Sequence, residues 1–385
     1  MVNTPGKRKK HRILRCIGII LLALVLLLLI FIAAFCIKAK TSYADLERVD
    51  EEGYFYSMTY TGNYDTPIVY GPLNIMRDSG CSAFITKNNS GEVITGRNYD
   101  FPHLDKNGDT TGLNVLVKCS PKGGYSSVGI ADAALFSVIG LPYYSGSLDS
   151  GDVTTLPLMF IPYLCMDGIN EKGVTVSILA LDIKDGETPM YQTYEGRKTY
   201  MVNQLLREIL DNCASVGEAV KLAESVNIAN TFGYDYHLFV TDASGVSAVF
   251  EWRYNELKII YTDCVTNFYV GYDDACDSYS GDTLREVFAV PEKFTRDYTY
   301  GYGHGYERFA TVAKSLDEHM TDSASYTTVM TDTEAMGILK SVCQKYISGS
   351  PTSLTQYSVV YNNSSLSAEI CVSGDYSKSY MFTVK

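Results

Sequence analysis

The chain predicts an α+β fold, with largely antiparallel sheets covered by helices and preceded by one transmembrane helix. Three observations carry this: short β-prone runs joined by Asn, Ser and Gly turns, amphipathic helices set between blocks of such runs, and an uncharged apolar run near the start. The order of strands, helices, strands, helices and strands suits stacked layers rather than a doubly wound parallel sheet.

Residues 1–15 form a basic cytoplasmic tail, with Lys7, Arg8, Lys9, Lys10, Arg12 and Arg15 ahead of an uncharged run over residues 16–37. As a helix that run covers the roughly 30 Å of bilayer hydrocarbon. The rival reading is a cleaved secretory signal, whose apolar core is usually about 7 to 15 residues, so the length favours an anchor. Basic residues stay inside, which places everything after Lys40 outside the cell membrane. Cys36 stands where a lipoprotein is acylated, but the bulky Phe35 before it argues against lipidation. Residues 38–80 are polar and tyrosine-rich, carry turn signals at Tyr60-Thr61-Gly62 and Tyr70-Gly71-Pro72, and read as a linker and pro-segment.

The body spans residues 81–385. It opens with Gly80-Cys81-Ser82-Ala83-Phe84-Ile85-Thr86, a turn at Asn88-Asn89-Ser90-Gly91, and a second β-prone run to Asp100, which is a hairpin by ordinary turn chemistry. Strands are expected over 113–118 and 174–181, the latter after a turn read at Asp167-Gly168-Ile169-Asn170-Glu171-Lys172-Gly173. Over 199–210 the apolar residues Val202, Leu205, Leu206, Ile209 and Leu210 share one helix face, and Ser215 with Glu218 forms a capping box that opens a second helix. Strands at 236–241, 246–253 and 257–262, helices at 307–319 and 333–346, and strands at 356–361, 366–372 and 380–384 complete the body.

The hairpin brings Arg97 and Asp100 back beside Cys81, so that a thiol, a guanidinium and a carboxylate meet. This suits a cysteine nucleophile whose base is its own α-amino group once the Gly80–Cys81 bond is cut. A free α-amino group titrates near roughly 8 and a free thiol near about 8.5, so the amine takes the thiol proton at little cost. The Arg97 cation favours a thiolate, and Asp100 is suited to holding the ammonium. Before the cut, the thiol attacks the Gly80 carbonyl, and glycine permits the unusual backbone angles of that attack.

A formal charge of −12 opposes nucleic-acid binding, which needs a basic face. Among ten cysteines no pair has zinc-ligand spacing, so no metal and no cofactor is expected. The eight outside the apolar run do not read as a disulfide framework, and most of them read as small buried residues. His237 reads as a core histidine, and His103 and His304 as bystanders in loops. The glycine-rich stretch 301–305 lacks the Lys-Ser/Thr of a phosphate loop and reads as a loop near the pocket.

Seven segments in order carry a resemblance: Cys81; Gly96-Arg97-Asn98-Tyr99-Asp100; Asn170-Glu171-Lys172-Gly173-Val174; the run from His237 through Asp242 and Gly245 to Glu251; Val265-Thr266-Asn267-Phe268; Glu307-Arg308-Phe309; and the run from Thr355 to Tyr361. From Cys81 to its end the chain resembles the choloylglycine hydrolase family, which comprises bile salt hydrolases, penicillin V acylases and relatives that cleave linear amide C–N bonds. The resemblance implies an N-terminal-nucleophile hydrolase, built as a four-layer αββα sandwich. By matched motifs it implies Cys81 as nucleophile and, through its freed amine, base, flanked by Arg97 and Asp100. Asn267 then supports the oxyanion or the amine, and Arg308 is the late active-site arginine.

One position departs. Where the bile salt hydrolases carry an asparagine in the strand after Asn-Glu-x-Gly, this chain has Ala180. A side-chain donor is missing there, which counts against bile salt specificity more than against hydrolysis. What the resemblance implies is a small-molecule amide substrate of N-acyl or conjugated bile salt type, with penicillin V acylase-like and acid-ceramidase-like amidases as alternatives. Substrate choice is expected to lie in the loops 141–155 and 273–305. Family members are often tetramers, which implies a homo-oligomer. Outside catalysis, the alternative is a membrane-anchored extracellular binding module whose many tyrosines, 31 in the chain, form a ligand face.

Overall fold

The computed structural model describes residues 5–62, 80–101, 112–137, 148, 153–181, 190–229, 235–271, 305–323, 327–344 and 354–384. In chain order the main strands are β1 (Tyr43–Arg48), β2 (Phe55–Tyr60), β3 (Gly80–Lys87), β4 (Val93–Phe101), β5 (Asn114–Cys119), β6 (Ser127–Asp132), β7 (Cys165–Asn170) and β8 (Thr175–Ala180). They continue as β9 (Tyr236–Thr241), β10 (Ser247–Arg253), β11 (Glu256–Tyr261), β12 (Cys264–Val265), β13 (Leu354–Asn362), β14 (Ser367–Val372) and β15 (Tyr380–Thr383). The helices are α1 (Pro5–Lys40), α2 (Val202–Asn212), α3 (Val216–Ser225), α4 (Gly305–Glu318) and α5 (Asp332–Ser341).

Two sheets result. One has nine strands in the order β1-β2-β5-β6-β7-β8-β9-β10-β11, and the other has six in the order β12-β3-β4-β13-β14-β15. All described neighbours in both are antiparallel except β2 and β5, which run parallel. Helices α2 and α3 pack on the nine-stranded sheet, and α4 and α5 on the six-stranded one. The sheets face each other between them, tied by Tyr99 Oη donating to Asp132 Oδ2 at 2.7 Å and Tyr357 Oη donating to Asp167 Oδ2 at 2.5 Å. The expected α+β, four-layer αββα sandwich is the observed fold. Strands such as β3, β6 and β8 are covered on both faces, which is why they read as nearly continuous apolar or small-residue runs rather than alternating ones.

The β3–β4 hairpin forms as the turn chemistry requires. Asn88 Oδ1 accepts from the backbone N–H groups of Ser90 and Glu92, both at 3.0 Å, and Gly91 supplies a φ of 79°. Opposite Phe84 in the register lies Gly96, where an added Cβ would meet the Phe84 ring at 2.5 Å. Helix α3 begins as expected, with Ser215 Oγ accepting from the Glu218 N–H at 3.2 Å. The Glu218 carboxylate closes the cap on the Ala214 N–H at 2.8 Å.

Three expectations change. Residues 38–80, read as a linker and pro-segment, place two strands in the large sheet: β2 pairs with β5 from Phe55↔Asn114 to Tyr60↔Cys119, and β1 pairs with β2. Aromatic and β-branched residues suit a strand, but the partner lies more than fifty positions downstream, where local patterning does not reach. Second, Asp167 belongs to β7 rather than to a turn. The turn is confined to the end of that segment, where Asn170 Oδ1 accepts from the N–H groups of Lys172 and Val174, both at 3.0 Å. Third, the helix read over 199–210 starts only at Val202, since Thr199–Met201 pairs in parallel with Asn227–Ala229.

Helix α1 is long and apolar enough to cross a membrane over Ile13–Lys40, and its side chains there are almost all exposed. The loops 141–155 and 273–305, His103 and His304 lie largely or wholly outside the described residues.

The closeness of Phe84 to Gly96 generates a stability prediction. Gly96→Val is expected to lower the unfolding free energy by about 1–3 kcal/mol through overpacking, read from a denaturant melt of the full chain in detergent. A variant as stable as the parent would mean that the ring has room to move.

Candidate active site

Strand pairing sets the site. The register of β3 with β4 places Gly80 opposite Asp100, Cys81 opposite Tyr99 and Ala83 opposite Arg97. Side chains two apart on a strand share a face, so Cys81 and Ala83 point the same way, and Cys81 is buried.

The backbone N–H of Cys81 donates to Asn267 Oδ1 at 2.6 Å. Arg308 reaches the same atoms: its Nη2 donates to Asn267 Oδ1 at 2.7 Å, and its Nη1 donates to the Cys81 carbonyl and, at 3.0 Å, to Ser82 Oγ. On its other side Asn267 donates from Nδ2 to the Ala180 carbonyl at 2.6 Å. Two donors at one end and a carbonyl at the other fix which end of the amide is oxygen.

Asp100 lies one step along. Its Oδ1 accepts from Thr355 Oγ1 at 2.5 Å and its Oδ2 from Gln344 Nε2 at 3.1 Å, with Arg308 Nη1 3.9 Å away. A register shift in β13 between Thr355 and Tyr357, opposite Asp100 and Tyr99, turns Thr355 toward the carboxylate. Burial raises the Asp100 pKa, against the opposing pull of Arg308, Thr355, Arg97 and Gln344. Gly80 has no left-handed backbone, and an added Cβ there would displace the end of the Gln344 side chain and lie 3.1 Å from Asp100 Oδ2.

Arg97 is fully buried between the sheets. It donates from Nη2 to the Ile178 carbonyl at 2.6 Å and from Nη1 to the Asn98 carbonyl, and its Nε lies 3.4 Å from Asp167 Oδ2. Burial opposes its charge, but the Cys81 thiol, Asp167 and Tyr357 together outweigh that and hold its pKa above the ordinary value. Asp167 is itself braced by Tyr357 Oη and Tyr361 Oη, each donating at 2.5 Å. Burial raises the Asp167 pKa, with Arg97 and the two tyrosines pulling the other way.

The segment carrying Asn267 has its own clamp. His237 places Nδ1 3.0 Å from Glu251 Oε1 and Nε2 2.8 Å from the Thr266 carbonyl. Glu251 in turn accepts from the N–H groups of Val270 and Gly271, both at 2.8 Å. Thr266 Oγ1 donates to the Gly305 carbonyl at 2.7 Å, linking the segment to the start of α4 and hence to Arg308. His237 is a core residue, as its sequence context suggests, but one that bears on Asn267 through its neighbour.

All five sequence-derived residues, Cys81, Arg97, Asp100, Asn267 and Arg308, therefore converge. Sequence reading passed over Asp167, Gln344 and the orienting pair His237–Glu251, and it took Tyr357 and Tyr361 only as part of a strand motif. One signal was available: positions 357 and 361 lie on one face of a strand, which aims two hydroxyls in one direction. Among the described residues no group of His, Cys, Asp and Glu is arranged to hold a metal ion.

Two facing sheets with helices outside and a buried cluster at the first strand of the body define the class: this is the N-terminal-nucleophile-hydrolase type of fold. Two variants of conjugated bile acid hydrolase from Clostridium perfringens share it, each with TM-score 0.54 at 15% identity, over 79% of this chain and 92% of theirs. Penicillin V acylase from Agrobacterium tumefaciens compares at TM-score 0.44 and 17% identity, over 76% of this chain and 83% of its own. Residues 81–268 match the model of the linear amide C–N hydrolases, choloylglycine hydrolase family. No curated protein sequence matches the chain significantly.

The braced guanidinium yields a ranking of variants. Asp167→Asn leaves Arg97 buried without its countercharge and is expected to cost about 3–5 kcal/mol. Tyr361→Phe removes one hydrogen bond to a carboxylate and is expected to cost about 1.5–3 kcal/mol. Denaturant melts of both variants check the order, and a Tyr361→Phe loss exceeding that of Asp167→Asn would contradict it.

Proposed function

We propose that this chain is a membrane-anchored amidase that hydrolyses a linear amide C–N bond, of N-acyl amide or conjugated bile salt type, through Cys81 exposed by autocleavage at Gly80–Cys81. One coincidence carries the proposal. The family match begins at Cys81, and the backbone nitrogen of that same residue is the atom held by Asn267 Oδ1 at 2.6 Å.

In the mature enzyme that nitrogen is a free amine. It takes the thiol proton, and the sulfur attacks the substrate carbonyl to give a tetrahedral oxyanion. Collapse breaks the C–N bond, the ammonium returns its proton to the leaving amine, and an acyl thioester remains on Cys81. Water attacks that thioester with the amine again taking a proton, which frees the acid and restores the thiol.

Asn267 supports the amine rather than the oxyanion in this scheme, because its oxygen faces the nitrogen and its NH2 is engaged by the Ala180 carbonyl. Arg308 positions Asn267 and the Cys81 carbonyl, Arg97 supplies positive charge in the surroundings of the thiol, and Asp100 offers its carboxylate near the new terminus. Maturation uses the same thiol. It adds to the Gly80 carbonyl, the peptide nitrogen leaves as the new amine carrying the thiol proton, and water opens the resulting thioester. The basic tail ahead of α1 favours an inside N-terminus and an outside catalytic domain.

Intact mass and N-terminal sequencing of the purified protein are expected to find a terminus at Cys81, and Cys81→Ala to leave the chain uncut and inactive. Asn267→Ala is expected to lower kcat by about a hundredfold through misplacement of the amine. A small electrophile at neutral pH is expected to mark Cys81 ahead of Cys213 and Cys371, whose thiols burial pushes up to about 12 and about 11, and ahead of Cys165 and Cys264, also raised by burial. Taurine and glycine bile conjugates, penicillin V and long-chain N-acyl amides assayed side by side identify the substrate class. An uncut chain with an unreactive Cys81 would overturn the proposal.

A further inference from the structure

The strands that precede Cys81 bear on what happens after the cut. Strand β2 hydrogen-bonds along its length to β5, and Phe55, Tyr56, Met58 and Tyr60 are all buried in the core of the body. Its contacts reach both sheets. The Phe55 ring packs against Tyr380 and Phe382 of the six-stranded sheet, with centroids 5.7 and 5.8 Å apart. Within the nine-stranded half, Tyr60 Oη donates to the Met159 carbonyl at 3.0 Å, and Tyr56 Oη accepts from the Leu148 N–H at 3.3 Å.

The connection to α1 is equally close. Only Thr41 and Ser42 separate that helix from β1, Ala39 is buried, and Tyr43 Oη donates to Thr155 Oγ1 at 2.8 Å. The Thr61 N–H closes back on the Ser42 carbonyl at 2.8 Å. Removing this segment would strip β5 of its ladder partner and expose an open sheet edge next to a void lined by apolar side chains.

We infer that, after cleavage at Gly80–Cys81, β1 and β2 remain in the nine-stranded sheet, so that the mature enzyme is a two-fragment assembly held by its own upstream segment, not a released hydrolase. The inference rests on the maturation reading given above. Such an assembly would keep the catalytic fragment beside α1 after the cut.

The character of the contact dictates how it will behave. It is mainly apolar and backbone-paired; the ion pairs between Lys378 and Glu51 and Glu52, at 3.7 and 3.6 Å, are exposed. Salt screens such exposed pairs but leaves apolar burial intact, whereas urea weakens burial and backbone pairing together.

The experiment uses the full chain in membranes, tagged at both ends. Expected is a cut chain whose two fragments co-precipitate through either tag after detergent extraction and a high-salt wash, with complete loss of co-precipitation in denaturing urea. A cut chain whose C-terminal fragment is active and leaves the N-terminal tag under mild conditions would overturn the inference while sparing the maturation reading. An uncut chain would overturn the maturation reading itself. A second protein, Cys81→Ala with a protease recognition sequence inserted between Gly62 and Gly80, then tests the association alone: digestion must leave the fragments together, and their separation without denaturant refutes it.

Discussion

A guanidinium buried between two sheets is the constraint on which the rest of this molecule depends. Taking a cation out of water costs several kcal/mol, and the cost is tolerated only where acceptors surround it. Around Arg97 of β4 those acceptors come from separate strands, Asp167 from β7 and the Ile178 carbonyl from β8, and Asp167 is in turn held by the donating hydroxyls of Tyr357 and Tyr361 from β13. A shift of either sheet by one residue would reverse the faces of these side chains and strand the charge. The network thereby locks the registers that carry Cys81, two pairs along the same hairpin from Arg97.

A second layer of polar contacts is built on that lock. Asn267 is held at its oxygen by Arg308 and at its nitrogen by the Ala180 carbonyl, and its segment is gripped from behind by His237 and Glu251. The alanine at 180, a departure from the bile salt hydrolases by side chain, contributes through its backbone. What that departure removes is a side chain, while the Asn267 oxygen that faces the Cys81 backbone nitrogen is kept in place.

The upstream segment is built into the body. A helix suited to crossing a bilayer runs within two residues into a sheet strand, and the next strand is buried against both sheets. The end of α1, at the buried Ala39, and the two strands after it are therefore packed with the body, upstream of the proposed cut. At Gly80, beside the proposed cut, an added side chain would crowd the ends of the Gln344 and Asp100 side chains.

Local chemistry made much of this legible. The Asn88–Gly91 turn, the apolar face of α2, the Ser215 cap and the uncharged run of α1 are encoded within a few residues each, and the hairpin alone brought Arg97 and Asp100 to Cys81. Motif order added Asn267 and Arg308, residues that no local pattern connects to a thiol some two hundred positions away. Tertiary structure alone decided the rest. Asp167 looked like a turn residue because Asp and Gly favour turns, yet pairing with β6 and β8 extends the strand through it. Strand β2 looked like part of a linker because its parallel partner, more than fifty residues distant, leaves no local trace, and β1 has only β2 to pair with. The sequence by itself determined which chemical groups were available and which short segments would fold; which buried charge faced which acceptor, and which upstream strand completed the sheet, depended on long-range pairing that only the packed chain defines.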